Sequence, residues 1–102
     1  MKLEWTRWAL MDRDRIFDYL EAESPYTAVM LDERIRKQIQ QLKRFPESGR
    51  VGRVEGAREL VVQRTPYIVA YMCTGDRVRI LRILHEAQQW PGDMADIPKR
   101  HR

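Results

Sequence analysis

Apolar positions along the chain change period twice, and each change predicts an element. Leu3-Glu4-Trp5 alternates as a short strand and runs into Thr6, a good helix N-cap. From Arg7 to about Glu23 the pattern is helical: Ala9, Ile16, Tyr19 and Leu20 form the apolar stripe, and Asp12, Arg13, Asp14, Arg15 and Asp18 take the wet side. Ser24-Pro25 restarts the chain with serine at the cap and proline at the first helical position. Ala28, Leu31, Ile35, Ile39 and Leu42 then recur at spacings of three and four, predicting an amphipathic helix that ends near Arg44. Two helices with one tight break between them read as an antiparallel hairpin.

Phe45-Pro46-Glu47-Ser48-Gly49-Arg50 is a loop, and Gly52 and Gly56 keep the next residues irregular. The period then becomes that of strands, over Arg58–Gln63, Tyr67–Cys73 and Arg77–Leu84, with Thr74-Gly75-Asp76 as a hairpin turn. The near-continuous apolar run of the last strand suits a central position with both faces covered. The order β-α-α-β-β-β predicts an α+β fold: an N-terminal strand, an antiparallel helical hairpin, then a three-stranded antiparallel sheet.

Length and composition narrow the picture. At 102 residues, 1–102 is expected to be one domain, with about 92–102 a basic tail that frays after Trp90-Pro91-Gly92. No apolar run approaches the roughly eighteen residues of a membrane span, and the N-terminus lacks a signal-peptide pattern, so a cytoplasmic location and no membrane partner are expected. The single cysteine, Cys73, sits in an apolar run and is expected buried and reduced. The net charge is +4, and fifteen of the nineteen basic residues are arginine. Arginine excess favours planar contacts to carboxylate or phosphate, which leaves nucleic acid and acidic protein both open as partners.

The ordered motifs resemble a known family. Pro46-Glu47-Ser48-Gly49-Arg50, Gly56-Ala57-Arg58-Glu59-Leu60, Tyr67-Ile68-Val69-Ala70-Tyr71 and Val78-Arg79-Ile80-Leu81-Arg82-Ile83-Leu84-His85 match, in order and spacing, the loop and strand motifs of ParE/RelE superfamily toxins. The resemblance covers nearly the whole chain and lies closer to the ParE branch. It implies the toxin of a type II toxin–antitoxin pair, a role in plasmid or chromosomal stability, a cognate antitoxin as partner, and one of two targets. ParE-like members poison DNA gyrase by protein contact. RelE-like members cleave messenger RNA on the ribosome.

Cleavage by attack of a 2′-hydroxyl on phosphate needs a base, cations on the phosphate oxygens and an acid for the leaving oxygen. Arg64, Arg79, Arg82 and His85 could supply cations and a titrating group, and Arg64, Arg82 and His85 are the candidates for that chemistry. Strict alternation along the last strand puts Arg79 and His85 on one face and Arg82 on the other, so the set does not converge. Nuclease members of the superfamily commonly carry arginine where this chain has Ile68, and the Glu86-Ala87-Gln88-Gln89-Trp90 ending is similar to ParE members. The preferred expectation is therefore a non-enzymatic gyrase inhibitor with partner-binding residues Arg50, Arg53, Arg58, His85 and Trp90, and a ribosome-dependent nuclease is the alternative. Trp5 and Trp8 are expected to pack, and at least one of Tyr67 and Tyr71 to lie in the core. No metal site or cofactor is expected: the histidines are His85 and His101, and no phosphate-binding glycine loop follows a strand. An acidic, partly disordered antitoxin segment would add a helix to the hairpin or a strand to a sheet edge.

Overall fold

A computed structural model describes residues 1–88. Its elements are β1 (Lys2–Trp5), α1 (Arg7–Glu23), α2 (Pro25–Gln41), β2 (Arg50–Val51), β3 (Arg58–Val61), β4 (Tyr67–Thr74) and β5 (Arg77–His85). The sheet runs β1-β5-β4-β3-β2. It is mixed: β1 pairs parallel with β5, and the other neighbours are antiparallel. The α+β class and the helical hairpin are as expected. The sheet, however, holds one strand more than the pattern showed, because β2 is two residues long within the stretch read as loop, too short to display a period.

Capping explains the hairpin. The Thr6 hydroxyl accepts from Ala9 N–H at 3.1 Å and donates to the Leu81 carbonyl at 2.8 Å, tying the start of α1 to β5. Ser24 serves both helices: its N–H donates to Leu20 O, and its hydroxyl accepts from Thr27 N–H. Across the pair, the Arg13 guanidinium grips Asp32 through two bonds of 2.8 and 2.9 Å and lies 5.4 Å over the Trp5 ring. The Asp32 contact raises the Arg13 pKa, and the guanidinium stays charged.

The core fills the space between the helices and one sheet face. Ile35, Ile39 and Leu42 pack with Ala9, Val62, Tyr67, Val69, Tyr71, Val78, Ile80 and Ile83. Both tyrosines are buried, and Trp5 packs at the margin. Tyr19, assigned to the apolar stripe, is 67% exposed. The opposite sheet face carries Ala57, Ala70, Met72, Leu81 and Leu84. The last strand is thus central and buried on both faces, as its apolar run suggested.

Two local features position the residues of interest. The Tyr71 hydroxyl donates to the Pro46 carbonyl and accepts from Gly49 N–H, each at 2.8 Å, which pins the 45–50 loop to the sheet. A Cβ on Gly49 would stand 2.7 Å from that ring, so glycine is required by close approach. Between Ala70 and Tyr71 the β4–β5 register slips: Ala70 pairs with Arg82 but Tyr71 with Ile80, leaving Leu81 as the extra residue of a bulge.

Candidate functional site

The bulge overturns the face assignment made from alternation. Residues opposite one another in a ladder share a face. Arg79 pairs with Met72 and Arg82 with Ala70, both on the face away from the helices, whereas His85 pairs with Tyr67 on the helix face. One extra residue at Leu81 inverts the parity of everything after it.

Arg82 then meets a partner that the helical pattern concealed. β1 covers β5 only as far as Ile80, so α1 closes the edge beyond it. There Asp12 accepts from Ile83 N–H at 2.9 Å and from the Arg82 guanidinium at 2.8 and 3.0 Å. Asp12 is 5% exposed and Arg82 6%, so this is a buried bidentate pair and not a solvated acidic residue on the wet face. Sequence periodicity missed it because a carboxylate at a sheet edge is buried by what it caps, not by its own polarity.

The remaining predicted residues fall into two groups. At the start of β3, Glu59 is 3% exposed. It takes Arg50 at 3.2 Å, the Arg53 side chain at 3.4 Å and the Arg53 N–H at 2.8 Å. Arg58 donates to the Gly49 carbonyl at 2.8 Å. These three arginines therefore brace the 45–53 loop while Arg50 and Arg53 keep about half of their side-chain surface in solvent. At the other end of the sheet, Arg64 sits in the β3–β4 turn at φ 63, a left-handed conformation, with its carbonyl accepting from Arg34 at 3.0 Å. Glu86 N–H donates to the Pro66 carbonyl, which brings His85 to the same end. The imidazole meets the Tyr67 ring edge-on at 5.5 Å, and its Nδ1 accepts from Ala87 N–H at 3.0 Å, so the neutral form carries its proton on Nε2. Arg58 pairs with Tyr71 and His85 with Tyr67, four residues apart on β4, roughly 13 Å at about 3.3 Å per residue. Trp90 lies outside the described residues, as does the basic tail.

The structure thus gathers Arg50, Arg53 and Arg58 at one end of the sheet and Arg64 and His85 at the other, and withdraws Arg82 from both. Cys73 corrects another expectation: it is exposed near the end of β4, and its thiol lies 3.6 Å from the Pro46 carbonyl. Partial burial pushes the thiol pKa up. Among the described residues no group of His, Cys, Asp and Glu could hold a metal ion, and no helix is long and apolar enough to cross a membrane.

One surface escaped the sequence pattern. Tyr26, Val29, Met30, Arg34, Lys37 and Gln41 line one outward stripe of α2, with Tyr26 75% and Val29 60% exposed. Their spacing of three, four and seven was available in the sequence, but it coexists with the stronger buried stripe and was absorbed by it.

The model of the ParE toxin of type II toxin–antitoxin systems, parDE, matches residues 3–90. The chain belongs to the ParE toxin family. Its relatives include the protein Y4kP of Sinorhizobium fredii, 40% identical over 90 residues covering 88% of this chain and 93% of the relative. Toxin RelE2 of Caulobacter vibrioides is 37% identical over 84 residues, 82% of this chain and 93% of the relative. Among solved structures, a chain of the chromosomal ParDE toxin–antitoxin system from P. aeruginosa superposes with a TM-score of 0.75 at 33% identity, covering 83% of this chain and 95% of that one.

Proposed function

We propose that this ParE-family toxin inhibits DNA gyrase by protein contact, acts in the cytoplasm, and is held by a cognate antitoxin. The observation that carries the reading is the burial of Arg82 against Asp12. A phosphate-binding arginine has to offer its donors to the substrate, and here the guanidinium is spent on a neighbouring carboxylate inside the fold. Ile68, 3% exposed, supplies no cation in its place. What remains accessible is a set of arginines that brace a loop while facing solvent, which suits contact with a protein surface better than bond chemistry. The regions favoured for that contact are the basic loop at Arg50 and Arg53, with Arg58 behind it, and the segment from His85 through Trp90.

Purified toxin with gyrase and plasmid DNA tests the reading. Loss of supercoiling with accumulation of cleaved DNA is expected, and induced cells should filament with messenger RNA intact. The second reading is a ribosome-dependent nuclease of the RelE type. It is favoured by the likeness to Toxin RelE2 and by the shared location of Arg64 and His85. Codon-specific cleavage of ribosome-bound messenger RNA, lost in Arg64→Ala and His85→Ala, together with no effect on gyrase, would replace the first reading by the second.

A further inference from the structure

The outer edge of β3 is incomplete. Val62 N–H donates to the Tyr67 carbonyl, which fixes the alternation of the antiparallel ladder. Leu60 and Val62 turn their backbone groups toward β4, and Ala57, Glu59, Val61 and Gln63 turn theirs the other way. β2 takes up the first two, through Gly52 N–H on the Ala57 carbonyl at 2.9 Å and the Arg50–Glu59 pair. Gln63 N–H donates to the Gln38 side chain at 3.1 Å. Before Arg50 the chain has left the sheet, held by Tyr71 and by the Phe45 carbonyl. Val61 therefore presents its N–H and C=O outward, and among the described residues no strand pairs with it on that side.

That edge opens into a groove of about 500 Å³ between β3 and the end of α2, lined by Gln38, Gln41, Phe45, Arg50, Leu60 and Val61. The outward stripe of α2 continues it to a second hollow at Tyr26, Val29, Lys37 and Arg64. Cations outnumber carboxylates along this path, Arg50, Arg34, Lys37 and Arg64 against Glu59 and Glu33. Arg50 stands at one end and Arg34, Lys37 and Arg64 at the other, while Glu59 is buried under Arg50 and Arg53, and Glu33 is engaged by Arg36 at 2.7 Å. An unpaired strand edge flanked by cations, in a groove of mixed polarity where Phe45, Leu60 and Val61 are the apolar members, suits an extended acidic peptide bearing one apolar side chain for Leu60 and Phe45. It does not suit a helix, which has no free backbone groups to give the edge.

We propose that the antitoxin adds a short strand at Val61, lying in the β3–α2 groove with its carboxylates toward Arg50 and Arg64. The proposal rests on the antitoxin-bound reading. It is tested with the full-length toxin and the antitoxin encoded beside its gene. Amide exchange in the complex should protect Val61, which is free to exchange in the toxin alone. Val61→Pro removes only an outward donor on an edge strand, a place where proline is tolerated. It should weaken antitoxin binding about tenfold, as expected for one lost hydrogen bond in a desolvated interface. Val61→Thr, which keeps the donor, should bind like the parent. Thermal melting of each free variant separates loss of fold from loss of binding, and the exchange measurement on the unaltered chain needs no variant at all. Binding with Val61 unprotected, or with protection instead at Leu3 and Trp5, whose amides face the opposite edge because Lys2 and Thr6 bond toward β5, would overturn the strand assignment and leave the antitoxin reading standing. Failure of the unaltered toxin to bind that antitoxin would overturn the antitoxin reading itself.

Discussion

Replacing Asp12 by alanine removes one partner of a buried ion pair and leaves the Arg82 charge inside the protein without its carboxylate. It also strips the acceptor from Ile83 N–H at the uncovered edge of β5. Breaking such a pair on one side costs about 3–5 kcal/mol, out of a total near 5–15 kcal/mol for a domain. With a urea slope of about 1–3 kcal/mol per molar, the unfolding midpoint should fall by more than about 1 M. Arg82→Met in the same background removes the stranded charge. The Asp12→Ala/Arg82→Met double variant should therefore regain about 2 kcal/mol, remaining about 1–3 kcal/mol below the parent because Ile83 N–H still lacks a partner. The coupling between the two positions is the decisive quantity. If Asp12→Ala unfolds within about 1 kcal/mol of the parent, or if the two substitutions simply add, the pair does not lock α1 to β5. The same double variant probes function: a gyrase inhibitor that does not use Arg82 stays toxic once folded.

Two further outcomes concern the core. Ile39 is fully buried against the sheet, so Ile39→Asp should leave no cooperative unfolding transition, and a folded variant would show the helix faces misassigned. Burial pushes the Tyr71 and Tyr67 phenols above their usual range, so the folded state holds these protons more tightly than the unfolded chain. Stability is then fully present below about pH 10 and lost as pH rises through the folded values. Tyr71→Phe should cost about 1–3 kcal/mol at neutral pH through the freed Gly49 N–H and flatten the alkaline decline seen by urea denaturation. An unchanged decline would mean that Tyr71 ionises as readily folded as unfolded.

The elements legible in the sequence are those whose cause is local. The helical hairpin comes from Thr6, Ser24 and Pro25 as caps and from the strong stripe of Ala28, Ile35, Ile39 and Leu42, all signals carried within a turn or two of chain. The two long strands were legible because eight or nine residues of β-branched and aromatic side chains display their pattern in full. The ordered loop and strand motifs carried the family resemblance, and one of them marks a close contact in this fold, Gly49 beneath Tyr71. The candidate site, by contrast, is settled by contacts between distant parts of the chain. The bulge at Leu81 exchanges faces for every later residue of β5, and a single inserted residue leaves no trace in composition. Asp12 looks solvated by type and helical position, and is buried because β1 leaves β5 uncovered beyond Ile80 and α1 fills the gap. Whether Arg82 is a free cation or a locked one depends on that meeting of chain ends, which no local pattern encodes.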